Sequence, residues 1–398
     1  MDHSAKAREI IQRYRHLRVG KASPIWRELE TDIDRIIASG DYEQLVVLVE
    51  SLEREPDDPF YLAKQRALNG LALIRTPAAV DAFLRLSCRP PSTWRAPEER
   101  YAWERAALLG DAQDLAGLNR ALQDHASDAS LLELLSCWIQ ECLLRGGAVA
   151  ELDGARALWR RLEEQRHPLS WLPLELARCE RDLFREAPRR NGIGNWFPFA
   201  RAANPRLEGV PVRAPTPSAQ QLPLEAADSE QITNFVGDEL LYPNASFEVA
   251  AFDPGTTPEP VGPSARRAAA ANMTVGLGSA VAALPLECLA AANRISAVEI
   301  APRDAFSLLF IMATQGGAYA RGRSAAQGRL RAWQCAGALA GARASSGFES
   351  AVRAVEGARW TFFDADSPWW YHVGIDFGLA CVADDALSVR VLALTDTD

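Results

Sequence analysis

At 398 residues, with 43 Lys and Arg against 52 Asp and Glu, the chain is long enough for two or three domains and has a net charge of -9. Without a basic surplus or a long run of like charges it has no electrostatic footprint for nucleic acid or an anionic membrane, and neither is expected as a partner. Its seven cysteines (Cys88, Cys137, Cys142, Cys179, Cys288, Cys335, Cys381) are dispersed with no CxxC pair, which argues against a zinc or disulfide framework and predicts reduced core thiols, with no metal and no other cofactor.

The opening stretch, MDHSAKAREIIQRYRHLRVG, mixes charged with apolar residues and lacks the apolar run of a secretory signal, so a cytoplasmic location is expected. From Ser23 to about Glu186 the apolar residues recur at helical spacing, punctuated by Gly, Pro, Asp or Ser. Leu131, Leu134, Leu135, Trp138, Ile139 and Cys142 would line one helix face, and Leu152, Ala155, Leu158, Trp159 and Leu162 the next.

GDYEQLVVLV (40–49), RTPAAVDAFL (75–84) and GDAQDLAGLN (110–119) align at offsets of 35, which superposes Leu45, Val80 and Leu115, and also Leu48, Phe83 and Leu118. On these units the chain resembles HEAT-like or tetratricopeptide-like helical repeats over roughly residues 23–145. The resemblance implies helix pairs that bury their apolar faces by stacking. An irregular helical bundle is the alternative for this domain, residues 1–194.

Pro198, Pro205, Pro211, Pro215, Pro217 and Pro223 exclude a helix or central strand from the next span, so residues 195–230 are expected to be a linker or surface excursion. A second proline-rich stretch, DPGTTPEPVGPS (253–264), reads as an exposed loop. Ala268–Leu286 carries no charge over 19 residues but is mostly Ala and Gly with polar interruptions, and reads as buried soluble structure instead of a membrane span.

Residues 231–398 mix the two periodicities. Ser246–Phe252, Trp360–Phe363, His372–Val382 and Ser388–Leu394 read as strands; Leu284–Asn293, Arg303–Thr314, Gly322–Ala340 and Phe348–Gly357 read as helices. ADDAL would join the last two strands as a hairpin. The expected fold is an all-α, helical-repeat-like N-terminal region followed by an α+β domain with a small, mainly antiparallel sheet.

Three stretches carry candidate chemistry. Around Gly316, Gly317, Tyr319, Arg321, Arg323, Arg329 and Trp333, arginines gather at a helix N-terminus, which suits a phosphate or carboxylate. The plainer reading gives the glycines there, with Gly328, Gly337 and Gly341, to a helix C-cap and a smooth face for close packing. No P-loop or GxSxG motif is present. Gly276 and Gly278, followed by Glu299, echo a dinucleotide turn. Val281 stands where its third glycine should be, however, and Pro285 interrupts the helix.

In DADSPWWYHVGIDFG (364–378), Asp364, Asp366, His372 and Asp376 would be the residues of a catalytic site, beside Trp369, Trp370 and Tyr371. The plainer reading makes them a turn and a solvated strand.

LPLECL (284–289), GGAYARG with GRLRAWQCAGALAG (316–341), WTFFDADSPWW (360–370) and VLALTDTD (391–398) resemble the C-terminal half of an uncharacterised bacterial family, mainly actinobacterial, over about 115 residues. That resemblance implies no catalytic role for any residue. The leading expectation is a cytoplasmic interaction protein whose helical array and α+β domain bind a protein partner or a small anion. One alternative is an enzyme with a cleft between Arg321–Trp333 and Asp364–Asp376. The other is an immunity protein that neutralises a toxin.

Overall fold

The computed structural model describes residues 3–14, 24–52, 58–88, 98–181, 208–211, 220–240, 245–253, 277–316, 324–371, 376–383 and 388–396. Contacts divide the chain into two compact units, Met1–Ser170 and Trp171–Asp398.

The described elements of the first unit are helical: α1 (His3–Tyr14), α2 (Pro24–Ser39), α3 (Tyr42–Leu52), α4 (Asp58–Leu73), α5 (Pro77–Ser87), α6 (Glu98–Ala112), α7 (Leu115–His125), α8 (Leu132–Leu144) and α9 (Asp153–Glu164), with short 3-10 turns between. Each helix packs on the one two places ahead, so α1, α3, α5, α7 and α9 form one row and α2, α4, α6 and α8 another. The predicted stripes sit where burial requires: Leu134, Leu135, Trp138, Ile139 and Cys142 on α8, and Ala155, Leu158, Trp159 and Leu162 on α9, are enclosed.

The three segments aligned at offset 35 become α3, α5 and α7, neighbours in one row. Their starts are fixed by side-chain caps. Asp41 Oδ1 accepts from Gln44 N–H at 3.0 Å, Thr76 Oγ1 from Ala79 N–H at 3.3 Å, and Asp114 Oδ1 from Gly117 N–H at 3.0 Å. The third cap falls at 114, where the offset would put it at 111. Leu118 is nevertheless buried like Leu48 and Phe83, because positions three or four apart share a helix face; Leu115 is only half-buried.

The second unit is an α+β domain around a seven-stranded sheet, antiparallel throughout, in the order β1-β4-β5-β6-β7-β3-β2. The strands are β1 (Glu208–Pro211), β2 (Gln220–Leu222), β3 (Ser246–Asp253), β4 (Arg294–Ile300), β5 (Arg359–Ala365), β6 (Asp376–Val382) and β7 (Val389–Thr395). The helices are α10 (Ala226–Leu240), α11 (Leu277–Val281), α12 (Pro302–Gln315), α13 (Ala325–Leu339) and α14 (Phe348–Gly357).

Two stretches inside the proline-rich span 195–230 thus belong to this sheet, and both lie at its edges. Pro211 is tolerated in β1 because an edge strand has one side that owes no hydrogen bond to a neighbour. Leu284–Asn293, expected as a helix, makes only a 3-10 turn at Glu287–Leu289. Its apolar residues Leu284, Leu286, Cys288 and Leu289 instead cover one sheet face, in a cluster with Phe252, Ile295, Phe363 and Trp370.

On the other face Trp360 donates its indole N–H to the carbonyl of Val355 on α14 at 3.1 Å. The glycines of α13 permit close packing. A Cβ at Gly328 would stand 2.4 Å from Thr314 Cγ2 on α12, and one at Gly337 3.1 Å from Ala351 Cβ on α14. Gly316 ends α12 with a φ of 76°, the left-handed region that favours glycine.

Candidate functional site

The arginine-glycine stretch is only partly described. Gly317, Tyr319, Arg321 and Arg323 lie outside the described residues, as does His372. Arg329 points inward and is fully buried. Its Nε donates to Glu180 Oε1 at 2.5 Å and Nη2 to Glu180 Oε2 at 2.8 Å; Nη1 and Nη2 also donate to the carbonyls of Pro173 and Glu175 at 3.0 and 2.8 Å. That is a two-pronged charge pair with backbone acceptors filling the remaining directions. It pins residues 173–180 against α13.

Trp333, one turn further along, is enclosed between Phe306 and Phe348, with ring centroids 4.4 and 5.0 Å away. The described members of the predicted anion set, apart from the capping Gly316, therefore serve the core.

The carboxylates of the C-terminal stretch collect at one end of the sheet, where β5 ends and β6 begins, and Asp366 and Asp376 are each held by separate partners. Asp366 Oδ1 accepts from the backbone N–H groups of Asn293 and Arg294, both at 2.9 Å, and so fixes the start of β4. Asp376 Oδ1 accepts from Thr395 Oγ1 at 2.5 Å, and the same hydroxyl accepts from Tyr371 N–H at 3.1 Å. Asp364 is nearly enclosed and sits opposite Ser296 in the β4–β5 register. Trp370 donates to the carbonyl of Cys288 at 2.9 Å and stands edge-on to Phe363. Among the described residues no three His, Cys, Asp or Glu side chains converge to hold a metal.

Burial pushes the thiols of Cys142 and Cys179 up to about 12, drives those of Cys288 and Cys381 higher still, and raises that of Cys335 well above its ordinary value.

The helical unit holds a feature that sequence patterning did not single out. A shallow cleft of about 450 Å³ opens between α5 and α7, lined by Arg75, Asp81, Gln113, Asn119, Arg120 and Gln123. Its floor is held by two long-range bonds. Gln113 Nε2 donates to the carbonyl of Ala72 at 2.5 Å, and Arg75 Nε to that of Ala112 at 3.0 Å. On its wall Asp81 Oδ1 lies 3.0 Å from His125 Nε2.

The lining thus offers guanidinium donors from Arg75 and Arg120, carboxylate acceptors from Asp81 and Asp114, and amides that do both. The signal that could have located it was the offset-35 alignment itself, which makes RTPAAVDAFL and GDAQDLAGLN spatial neighbours and so brings their polar positions together.

The described structure thus combines a helical unit that carries a polar cleft with an α+β unit in which Arg329 and Asp364 are buried. The chain belongs to DUF6183, a family of unknown function, which it matches over residues 27–398 and hence across both units. No curated protein and no solved structure matches it. Among the described residues no helix is long and apolar enough to cross a membrane.

Proposed function

We propose that the chain is an interaction protein whose helical unit receives a polypeptide partner in the cleft between α5 and α7. The observation that carries this reading is the lining: donors and acceptors of both signs, contributed by successive helices of one row, around a fixed polar floor. Stacked helix pairs of the HEAT-like or tetratricopeptide-like kind present such inter-helix clefts as recognition surfaces. A peptide backbone needs both donors and acceptors, which a phosphate-binding site would not supply in that balance.

The test is site-specific photocrosslinking in cells of the native host. A photoreactive residue at Asn119 should yield one discrete adduct that Arg120→Glu abolishes, while the same residue at exposed Arg160 on α9 yields none. A basic toxin in that adduct would make the chain an immunity protein, the narrower form of the reading. Equal adducts at both positions, or none at Asn119, would overturn it.

A further inference from the structure

The even row of the helical unit is cross-linked by arginines that reach back to the preceding helix. Arg66 on α4 donates to Asp34 at 2.8 and 2.7 Å and to Glu30 at 3.1 Å, both on α2. Arg145, just beyond α8, donates to Asp111 on α6 at 3.2 and 2.5 Å and to Glu141 at 2.6 Å. Between these two steps stands Arg105 on α6, spaced 39 residues after Arg66 and 40 before Arg145. It makes the same reach, but its target on α4 is the neutral Gln65, whose Oε1 accepts from Arg105 Nη2 at 2.6 Å.

This middle arginine is also the most enclosed of the three. Arg105 has a relative exposure of 0%, and its guanidinium carbon lies 4.7 Å from the ring centre of Tyr101, itself buried. Cation–π attraction offsets part of the lost hydration, but it provides no acceptor for the N–H groups. Among the described residues Arg105 Nε and Nη1 have no hydrogen-bond partner, nor does the Nε2 of Gln65, whose oxygen is already turned toward the arginine. Three buried nitrogens at this one step of the row are therefore donors without an acceptor among the described residues, and one of their side chains is a guanidinium.

A buried charge is retained in folded proteins when it is paired, and a partly satisfied polar network is worse than an apolar one. Arg66 and Arg145 show what the row uses for that purpose: carboxylates. At the Arg105 step no carboxylate of the described chain takes that role. A water would satisfy one or two donors and leave the charge uncompensated. An anion satisfies the donors and the charge together.

We infer that Arg105 and Gln65 bind a small inorganic anion of the halide class between α4 and α6. The enclosure selects size as well as sign. Because the Arg105 side chain has a relative exposure of 0%, a compact monatomic ion needs the least room beside it, and sulfate or an organic carboxylate needs more. The ion completes the row's middle ion pair from outside the chain.

The test uses the full-length protein in two forms. Crystals grown or soaked in bromide should give an anomalous peak within hydrogen-bonding distance of Arg105 and Gln65. In solution, the thermal midpoint should climb with the logarithm of chloride or bromide concentration relative to gluconate at equal ionic strength, as a ligand of the folded state makes it do. General salt effects persist in Gln65→Leu; the halide-specific rise should shrink there. A bromide peak with a halide-specific rise establishes the site. Crystals without anomalous signal at Arg105, or a halide rise unchanged in Gln65→Leu, would overturn it.

Discussion

Among the described residues two arginines, one in each unit, are withdrawn completely from solvent, and they are treated in opposite ways. In the α+β unit Arg329 meets both oxygens of Glu180 and two backbone carbonyls; in the helical unit Arg105 meets one amide oxygen and an aromatic face. The first is a closed network built from the chain alone. The second is the same kind of buried cation, but among the described residues its Nε and Nη1 meet no acceptor. Burial of an arginine is therefore no indicator of its role: what separates a structural residue from a binding one is whether the donors have been accounted for.

The comparison can be broken hardest at Glu180. Glu180→Ala would leave Arg329 in the situation of Arg105 but without a site formed for an ion, and should cost about 3–5 kcal/mol in denaturant unfolding of the α+β unit. The double variant Glu180→Leu with Arg329→Met should recover most of that loss, because the cost lies in the stranded charge and not in the missing pair. A double variant as unstable as Glu180→Ala would show that the pair itself holds residues 173–180 in place.

Packing in the same unit gives the next effect. Gly328→Ala places a methyl 2.4 Å from Thr314 Cγ2, where α12 and α13 touch, and should destabilise by about 1–3 kcal/mol although alanine favours the helix. A gain in midpoint would mean that the helices separate easily and that the glycine is not needed for contact.

A satisfied charge in the helical unit sharpens the contrast with Arg105. Burial would raise the carboxyl of Glu133, but the hydrogen bond and charge of His167, with the bonds from Trp103 and Cys137, hold it below the ordinary value of 4.5. Since the folded value is the lower one, its contribution is present above about pH 4.5 and lost as pH falls through the folded value. Wild type should therefore lose stability over that acid range more steeply than Glu133→Gln, measured by urea midpoints from pH 3 to 7. Parallel curves would remove Glu133 from the acid response. The smallest effect belongs to the exposed step of the row: Arg66→Ala, whose side chain is 40% exposed, should cost under about 1 kcal/mol and less at high salt.

What patterning made legible was whatever depends on local periodicity. The stripes of α8 and α9, the bounds of α14 at Phe348–Gly357, and the alternation of β3 follow from residues a few positions apart. β1 and β2 were hidden by the prolines around them, because an edge strand tolerates what a central one forbids. Leu284–Asn293 has helical apolar spacing, but Pro285 and the sheet face it covers shorten it to a turn.

The candidate sites were less legible still. Arg329 looked like an anion ligand because Glu180, 149 residues away, leaves no mark near it in sequence. Asp366 resembled a catalytic carboxylate because the two N–H groups it caps belong to the backbone of another strand. The Arg66, Arg105 and Arg145 spacing is visible in the sequence, yet it acquires meaning only once α4, α6 and α8 are known to lie in one row.

The most direct test compares Arg105→Met and Arg329→Met with wild type, by thermal midpoint, in chloride and in gluconate of equal ionic strength. Arg329→Met strands Glu180 and should lower the midpoint equally in both salts. Arg105→Met should lower it in chloride, where wild type has its ion, and leave it unchanged or raise it in gluconate, where wild type holds an uncompensated charge. A change from Arg105→Met that is the same in both salts would contradict the account.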